Sequence, residues 1–293
     1  MKKINALIIG AGRAGTTSLS KIMEVHPEIC FSNIKEVHYF CFDDLYKRGE
    51  KYYNSFFSHC KNEKVIASAD TYLMPAYYAI KNIKKYNIDM KIIVMLRNPV
   101  DRAYSSYNYS VNYGYHNRYD KFTDSIEKEK YIENESDIIK LNNLGHFYCS
   151  LYYKHLEKWM SEFPFENFLF LTTKELKDTP EKMKLKLAEF LEISPFENNS
   201  PTDNKYNANA VPRNKLLEQF LLNRENPMRR IIRTIFPTML KEIIINSKLI
   251  DRVHSINRKT SDYEPLDDKQ RKISDEFFKD DLFNLKSKLG IEL

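Results

Sequence analysis

The run Gly10-Ala11-Gly12-Arg13-Ala14-Gly15-Thr16-Thr17-Ser18 follows the apolar stretch Leu7-Ile8-Ile9. Its glycines let backbone N–H groups close on an anion, and a helix opening behind it adds the favourable end of its dipole. Three chemistries fit the spacing. Gly10, Gly12 and Gly15 match G-x-G-x-x-G, the dinucleotide fingerprint, which calls for an acid about 20 residues on, at the end of a second strand. Glu36 is the candidate at that distance. Gly10 and Gly15 also have the spacing of a triphosphate loop, but Thr16 stands where that loop needs lysine. The third reading is a cradle for a single 5′-phosphate, with Arg13 supplying charge and Thr16 and Thr17 supplying hydroxyls.

A second cluster, Arg97-Asn98-Pro99-Val100-Asp101-Arg102-Ala103-Tyr104-Ser105, follows Lys91–Leu96 (KIIVML). Arg97 leaves a strand end, the edge at which open α/β sheets bind ligands. Ser105 comes about two helical turns later. Together they can hold a second, separate phosphate. A dehydrogenase has no use for that pair, and a kinase would need acidic magnesium ligands instead.

These residues must be carried by strands and helices, and the periodicity supplies both. Asn5–Ile9, Lys64–Ala69, Lys91–Leu96 and Asn167–Thr172 read as buried strands. Thr17–Val25, about Val100–Asn108, Phe147–Phe163 and Glu181–Leu191 read as helices. Wholly apolar strands separated by helices predict an α/β fold with a parallel sheet covered on both faces. The C-terminal third is helical, and Asp267–Leu289 is amphipathic and expected to pack on the sheet. A single domain over 1–293 is expected, with 194–260 the least regular part. Nine Lys/Arg against three acids between Arg224 and Lys259 carry the whole net charge of +6. That patch suits an anionic partner or acceptor selection, although a solvated helical face accounts for it equally. No nucleic-acid motif accompanies it. No apolar run approaches the ~18 residues of a membrane span, so no integral membrane association is expected. Cys30, Cys41, Cys60 and Cys149 are dispersed without a C-x-x-C pair, which predicts neither a zinc site nor a dense disulfide framework.

The chain resembles the sulfotransferases that use 3′-phosphoadenosine 5′-phosphosulfate (PAPS), most closely their heparan sulfate and bacterial carbohydrate branch. Gly10–Leu19 is similar to their 5′-phosphosulfate loop and Leu96–Tyr107 to their 3′-phosphate motif. Lys35-Glu36-Val37-His38-Tyr39-Phe40 resembles a K-E-x-H-F-F segment. Ser150-Leu151-Tyr152 with Leu156, Trp159-Met160 and Phe163-Pro164 resembles the branch's S-L-Y…L..W…F-P helix, and Phe277–Gly290 its final helix. The likeness covers most of residues 4–193 and returns over 262–293.

The resemblance implies a P-loop-like α/β sheet and sulfuryl transfer by in-line displacement, without a metal and with adenosine 3′,5′-bisphosphate (PAP) as leaving group. It implies that amides around Gly12, Arg13, Ala14, Gly15, Thr16, Thr17 and Ser18 hold the 5′ side. Arg97 and Ser105 would hold the 3′-phosphate, and Tyr152 would orient cofactor or acceptor. A basic loop closes the 3′ side in this family, which would enlist Lys205 and Arg213. Two departures stand out. Arg13 replaces the family's loop lysine, and its expected role is electrostatic. Ala67-Ser68-Ala69-Asp70-Thr71-Tyr72 replaces a segment with Glu-Lys-Thr-Pro, so a second lysine is missing.

Removing an alcohol proton needs a carboxylate or imidazole within hydrogen-bond reach. Glu36 is the candidate base; His38, two residues on, would share its side of an extended segment. Asp70 is the alternative base. The expected acceptor is a hydroxyl, less readily an amine, of a saccharide or small metabolite. The first strand starts almost at Met1, leaving no room for a stem or anchor, and a reducing cytoplasm is the expected location. Two other functions remain open: an NAD(P)-dependent oxidoreductase resting on G-x-G-x-x-G, and a catalytically silent binding protein of the same fold.

Overall fold

The apolar runs become the strands of one parallel sheet. In the computed structural model, which describes residues 3–197, 210–212, 258–260 and 263–293, these are β1 (Ala6–Gly10), β2 (Ile29–Phe31), β3 (Val65–Ala69), β4 (Lys91–Leu96) and β5 (Phe168–Thr172). Their order is β2-β3-β1-β4-β5, all parallel. Every residue of β1 and β3 is buried, as is all of β4 after Lys91. Helices on both faces leave no solvated side, so the strands read as continuous apolar runs rather than alternating ones.

The layers comprise α1 (Thr16–Glu24), the short α2 (Asp43–Tyr46) and α3 (Gly49–Asn54), then α4 (Tyr77–Tyr86) and α5 (Pro99–Tyr113). After these come α6 (Asp124–Lys128), α7 (Ile138–Leu144), α8 (Tyr152–Met160), α9 (Thr173–Asp178) and α10 (Pro180–Leu191). A C-terminal helix spans Asp268–Leu289, and Ala210–Pro212 pairs antiparallel with Arg258–Thr260. Lys205, Arg213 and nearly all of the basic stretch 224–259 lie outside the described residues.

Several expectations are corrected. The helix read over Phe147–Phe163 begins only at Tyr152, because residues 148–150 form a 3-10 turn and Leu151 leaves helical geometry (φ −78°, ψ 79°). The C-terminal helix docks chiefly on α8 and α5 rather than on the strands. Asp281 anchors it by accepting from the Tyr153 and Lys154 amides at 3.1 and 3.0 Å, groups that the first turn of α8 cannot satisfy itself. Cys30 and Cys60, thirty residues apart, are joined as a disulfide, because β2 pairs with β3 and returns the chain to the same edge. Cys41 and Cys149 are buried thiols.

Strand order decides where a ligand can sit. β1 lies between β3 and β4, so the chain departs from β1 to one side and returns on the other. The C-terminal ends of β1 and β4 therefore open side by side at a topological switch point. β3 also separates β2 from β1. A dinucleotide fold puts its second strand, with the ribose-binding acid, next to the first, so the G-x-G-x-x-G reading loses that partner here. Among the described residues no helix is long and apolar enough to cross a membrane.

Candidate active site

The loop between β1 and α1 is held from outside at three successive carbonyls. Arg102 Nε donates to Gly12 O at 2.9 Å, Arg97 donates to Arg13 O at 3.2 Å, and the Thr173 hydroxyl donates to Ala14 O at 2.6 Å. The Ala11 amide donates to Met95 O at 2.8 Å, tying the loop to β4. The amides at the head of α1 have no intrahelical acceptor and form the donor set for an anion. Gly15 cannot be replaced without strain: its φ is +101°, and a Cβ would lie 3.2 Å from Leu176. Arg13 is also left-handed, at φ 70°.

The second anion position is built on α5. The Asn98 side chain accepts from the Asp101 amide at 3.1 Å and Pro99 opens the helix, fixing its start directly behind Arg97. Ser105, 3% exposed, faces back toward the loop. Its hydroxyl oxygen accepts from Arg13 Nε at 3.3 Å and from the Tyr263 hydroxyl at 3.2 Å. The Arg13 guanidinium lies over the Tyr109 ring, 4.8 Å from its centroid, and burial pushes its pKa down. Arg13 thus belongs to the Ser105 side of the site and not to the head of α1, where a loop lysine was expected to act. Beside it opens a cleft of about 410 Å³ lined by Arg97, Tyr104, Tyr263 and Arg271. The glycine loop, Arg97 and the Ser105 hydroxyl offer donors to anions on two sides of the site, while Asp101, paired with Arg271 at 2.6 Å, and Glu264 also line the cleft.

The third part lies at the end of β3. The Glu36 amide donates to Ala69 O at 3.0 Å, which brings residues 35–38 alongside that strand end. Glu36 Oε1 accepts from the Thr71 hydroxyl and from Lys35 Nζ, both at 3.0 Å. The segment is not extended: Glu36 and His38 are both left-handed, at φ 60° and 58°. The period-two reading of their side chains therefore fails, because it presumes strand geometry. Non-glycine residues in this region are costly and cluster at functional sites. His38 is placed instead by Asp70, whose Oδ1 lies 2.9 Å from Nδ1, and by stacking on Tyr72 at 4.7 Å between centroids. Asp70 is 4% exposed and also accepts from the Tyr72 amide and the Cys41 thiol. Enclosed in this way, it holds His38 in place.

Tyr152 is fully buried, with its hydroxyl beside the Arg97 backbone. Its place in the core sets it directly beside Arg97.

Several contributors escape sequence reading. Arg102 is buried and also donates to His146 O and the Ser150 hydroxyl, so one side chain joins the loop, α5 and the 146–150 turn. Glu129 accepts the His146, Phe147 and Tyr148 amides at 2.8, 2.8 and 2.9 Å, holding the same turn from the other side. Burial pushes its carboxyl up to about 8, against those amides and Arg102. Thr173 and Lys35 complete the set. The only sequence sign of Arg102 was its place in the cluster after β4, five residues from Arg97, and of Thr173 its place just past a strand end.

An open parallel sheet with the glycine loop and the Arg97–Ser105 cluster at adjoining strand ends defines an α/β protein with a candidate anion site at its switch point. Residues 3–206 match the Sulfotransferase domain family, and the chain belongs to it. Heparan sulfate glucosamine 3-O-sulfotransferase 5 of Mus musculus is 26% identical over 206 residues, 69% of this chain and 55% of its own length. The membrane-associated sulfotransferase kil1 of Dictyostelium discoideum is 28% identical over 145 residues, 48% of this chain and 30% of its own. The crystal structure of a sulfotransferase from Alicyclobacillus acidocaldarius superposes with a TM-score of 0.67 at 20% identity, covering 100% of this chain and 98% of that one, and establishes the shared fold. The chain spans about half the length of the curated relatives it matches.

Proposed function

We propose that the protein transfers a sulfuryl group from PAPS to a hydroxyl of a saccharide or small-molecule acceptor. The observation that carries this reading is the pairing of the glycine loop with Arg97 and Ser105 on hydrogen-bonded strands, linked by the Arg97 contact to Arg13 O. Two separate anions are thereby received at a fixed separation. Family membership supports the reaction, and the 3-O-sulfotransferase relatives support a saccharide hydroxyl as acceptor. PAPS, when bound, supplies an activated sulfuryl group. The chain's own groups do the rest: amides at the head of α1 bind the 5′ end, Arg97 and Ser105 the 3′-phosphate, and Glu36 takes the acceptor proton. Fixed donors aimed at developing charge make such a site effective without reorganisation.

The His38–Asp70 hydrogen bond favours a second assignment of the base. A carboxylate on Nδ1 fixes the tautomer that presents Nε2 as acceptor, and His38 then takes the proton with Asp70 as its orienting partner.

Calorimetric titration with PAP tests the proposal. Micromolar or tighter binding that weakens about tenfold or more in Arg97→Ala and Ser105→Ala is expected, the scale of a lost charge-assisted contact. Absence of binding by the folded protein would remove the reading. Consumption of PAPS with a panel of saccharide acceptors then separates an enzyme from a silent binding protein.

A further inference from the structure

The family's lysine is absent from the glycine loop, and the arginine in its place points elsewhere. Arg13 donates to Ser105 and lies over Tyr109. Arg97 donates to the Arg13 carbonyl. Arg102 is engaged with Gly12, His146 and Ser150. None of these contacts places a guanidinium at the head of α1. At the head of α1 stands a different cation. Lys35 Nζ lies 3.0 Å from the hydroxyl of Thr17, the second residue of α1, and 3.0 Å from Glu36 Oε1. It arrives from outside the loop, on the segment that runs along the end of β3, and its side chain is one-third exposed, at 33%.

We propose that Lys35 is the cofactor-binding cation of the 5′ end, and that Arg13 has moved to the 3′ end. The inference rests on the PAPS reading and adds to it a division of labour among cations. Two physical needs favour it. As the sulfur–oxygen bond to the 5′-phosphate breaks, its electron pair passes to the phosphate oxygen, and that growing charge calls for a nearby cation. As the new sulfur–oxygen bond forms, the acceptor's proton passes to the base. Lys35 and Glu36 are consecutive and in contact, so one short segment answers both needs. A lysine on a flexible stem can follow the moving charge, whereas Arg13, packed on Tyr109 and Ser105, is held where a planar fork suits a stationary phosphate.

The experiment compares two ligands on the unmodified protein and three variants by calorimetry: PAP and adenosine 3′-monophosphate, which lacks the 5′-phosphate. In Lys35→Met the PAP Kd should rise about tenfold, the scale of one charge-assisted contact, while the 3′-monophosphate Kd stays unchanged. In Arg13→Met both Kd values should rise together. Lys35→Arg should recover most of the PAP affinity, which a merely structural loss would not show. An unchanged PAP Kd in Lys35→Met, or equal weakening of both ligands, overturns the assignment while leaving the PAPS reading intact. Failure of the unmodified protein to bind PAP removes the PAPS reading and the assignment with it.

Discussion

Glu36 and His38 compete for one proton, and substitution separates them. With Glu36 as base, Glu36→Gln lowers kcat by about 10²–10⁴-fold, the usual worth of general base catalysis, and leaves the PAP Kd unchanged. His38→Gln then has a much smaller effect. The reverse pattern, with Asp70→Asn imitating His38→Gln, would assign the base to His38. Steady-state kinetics on the three variants decides this. The residues themselves were legible: Arg97 and Ser105 both meet Arg13 of the glycine loop, and Glu36 stands beside Lys35 near the head of α1. Their directions were not. Spacing does not encode a left-handed φ, so the relation of Glu36 to His38 was misread, and it does not encode that Arg13 turns toward Tyr109. Lys35 was quoted within its segment without being given a role, because its contact with Thr17 depends on how the loop after β2 crosses the sheet edge.

At the scale of elements, the glycine loop owes its shape to groups on α5, at the end of β4 and at the start of α9 more than to its own sequence. Arg102 is the clearest case, joining Gly12 O to the turn that Glu129 holds. Arg102→Met would take one donor from each of the Gly12 and His146 carbonyls and remove a cation that acts on buried Glu129. A loss of about 2 kcal/mol or more is expected from unpaired buried groups, visible in the denaturant midpoint, together with a weaker PAP Kd. Wild-type affinity in a destabilised variant would show that the loop keeps its form without this brace. The apolar strands were readable because a doubly covered sheet leaves an unmistakable pattern. β2, with three residues, and the short helices near it were not, since so few residues carry no period. The turn ahead of α8 was missed for another reason: its apolar spacing continues through a break that Leu151 makes in the backbone.

Across the molecule, buried ionisable groups set how stability responds to pH. Burial lowers His146 well below its ordinary value and brings His155 to about 4. The unfolded chain then binds more protons than the folded one below the ordinary histidine value of 6.5, so stability is lost as pH falls from there toward 4. Glu129 has the opposite sign. With its folded value raised to about 8 from 4.5, the folded state holds the extra proton, and this contribution is lost as pH rises through that window. A melting temperature that peaks near pH 6.5 and declines on both sides is expected from calorimetric scans across this range. Glu129→Gln should flatten the alkaline side, and an unaltered slope there would show that Glu129 is already ionised at neutral pH. Fold class was legible at this scale from alternation alone, whereas the disulfide was not, because pairing of Cys30 with Cys60 depends on strand order.

The adjacency of β1 and β4 has one more consequence. Neighbouring strands in a sheet keep about 4.8 Å between them, and the two anion positions sit on the loops that leave this pair. Their separation works as a ruler engraved in the backbone lattice, which side-chain replacement cannot rescale. Under the proposed reading donor choice is thus a fixed instrument, while acceptor choice, which that reading assigns to residues around the end of β3, is free to drift or be redesigned without recalibrating it.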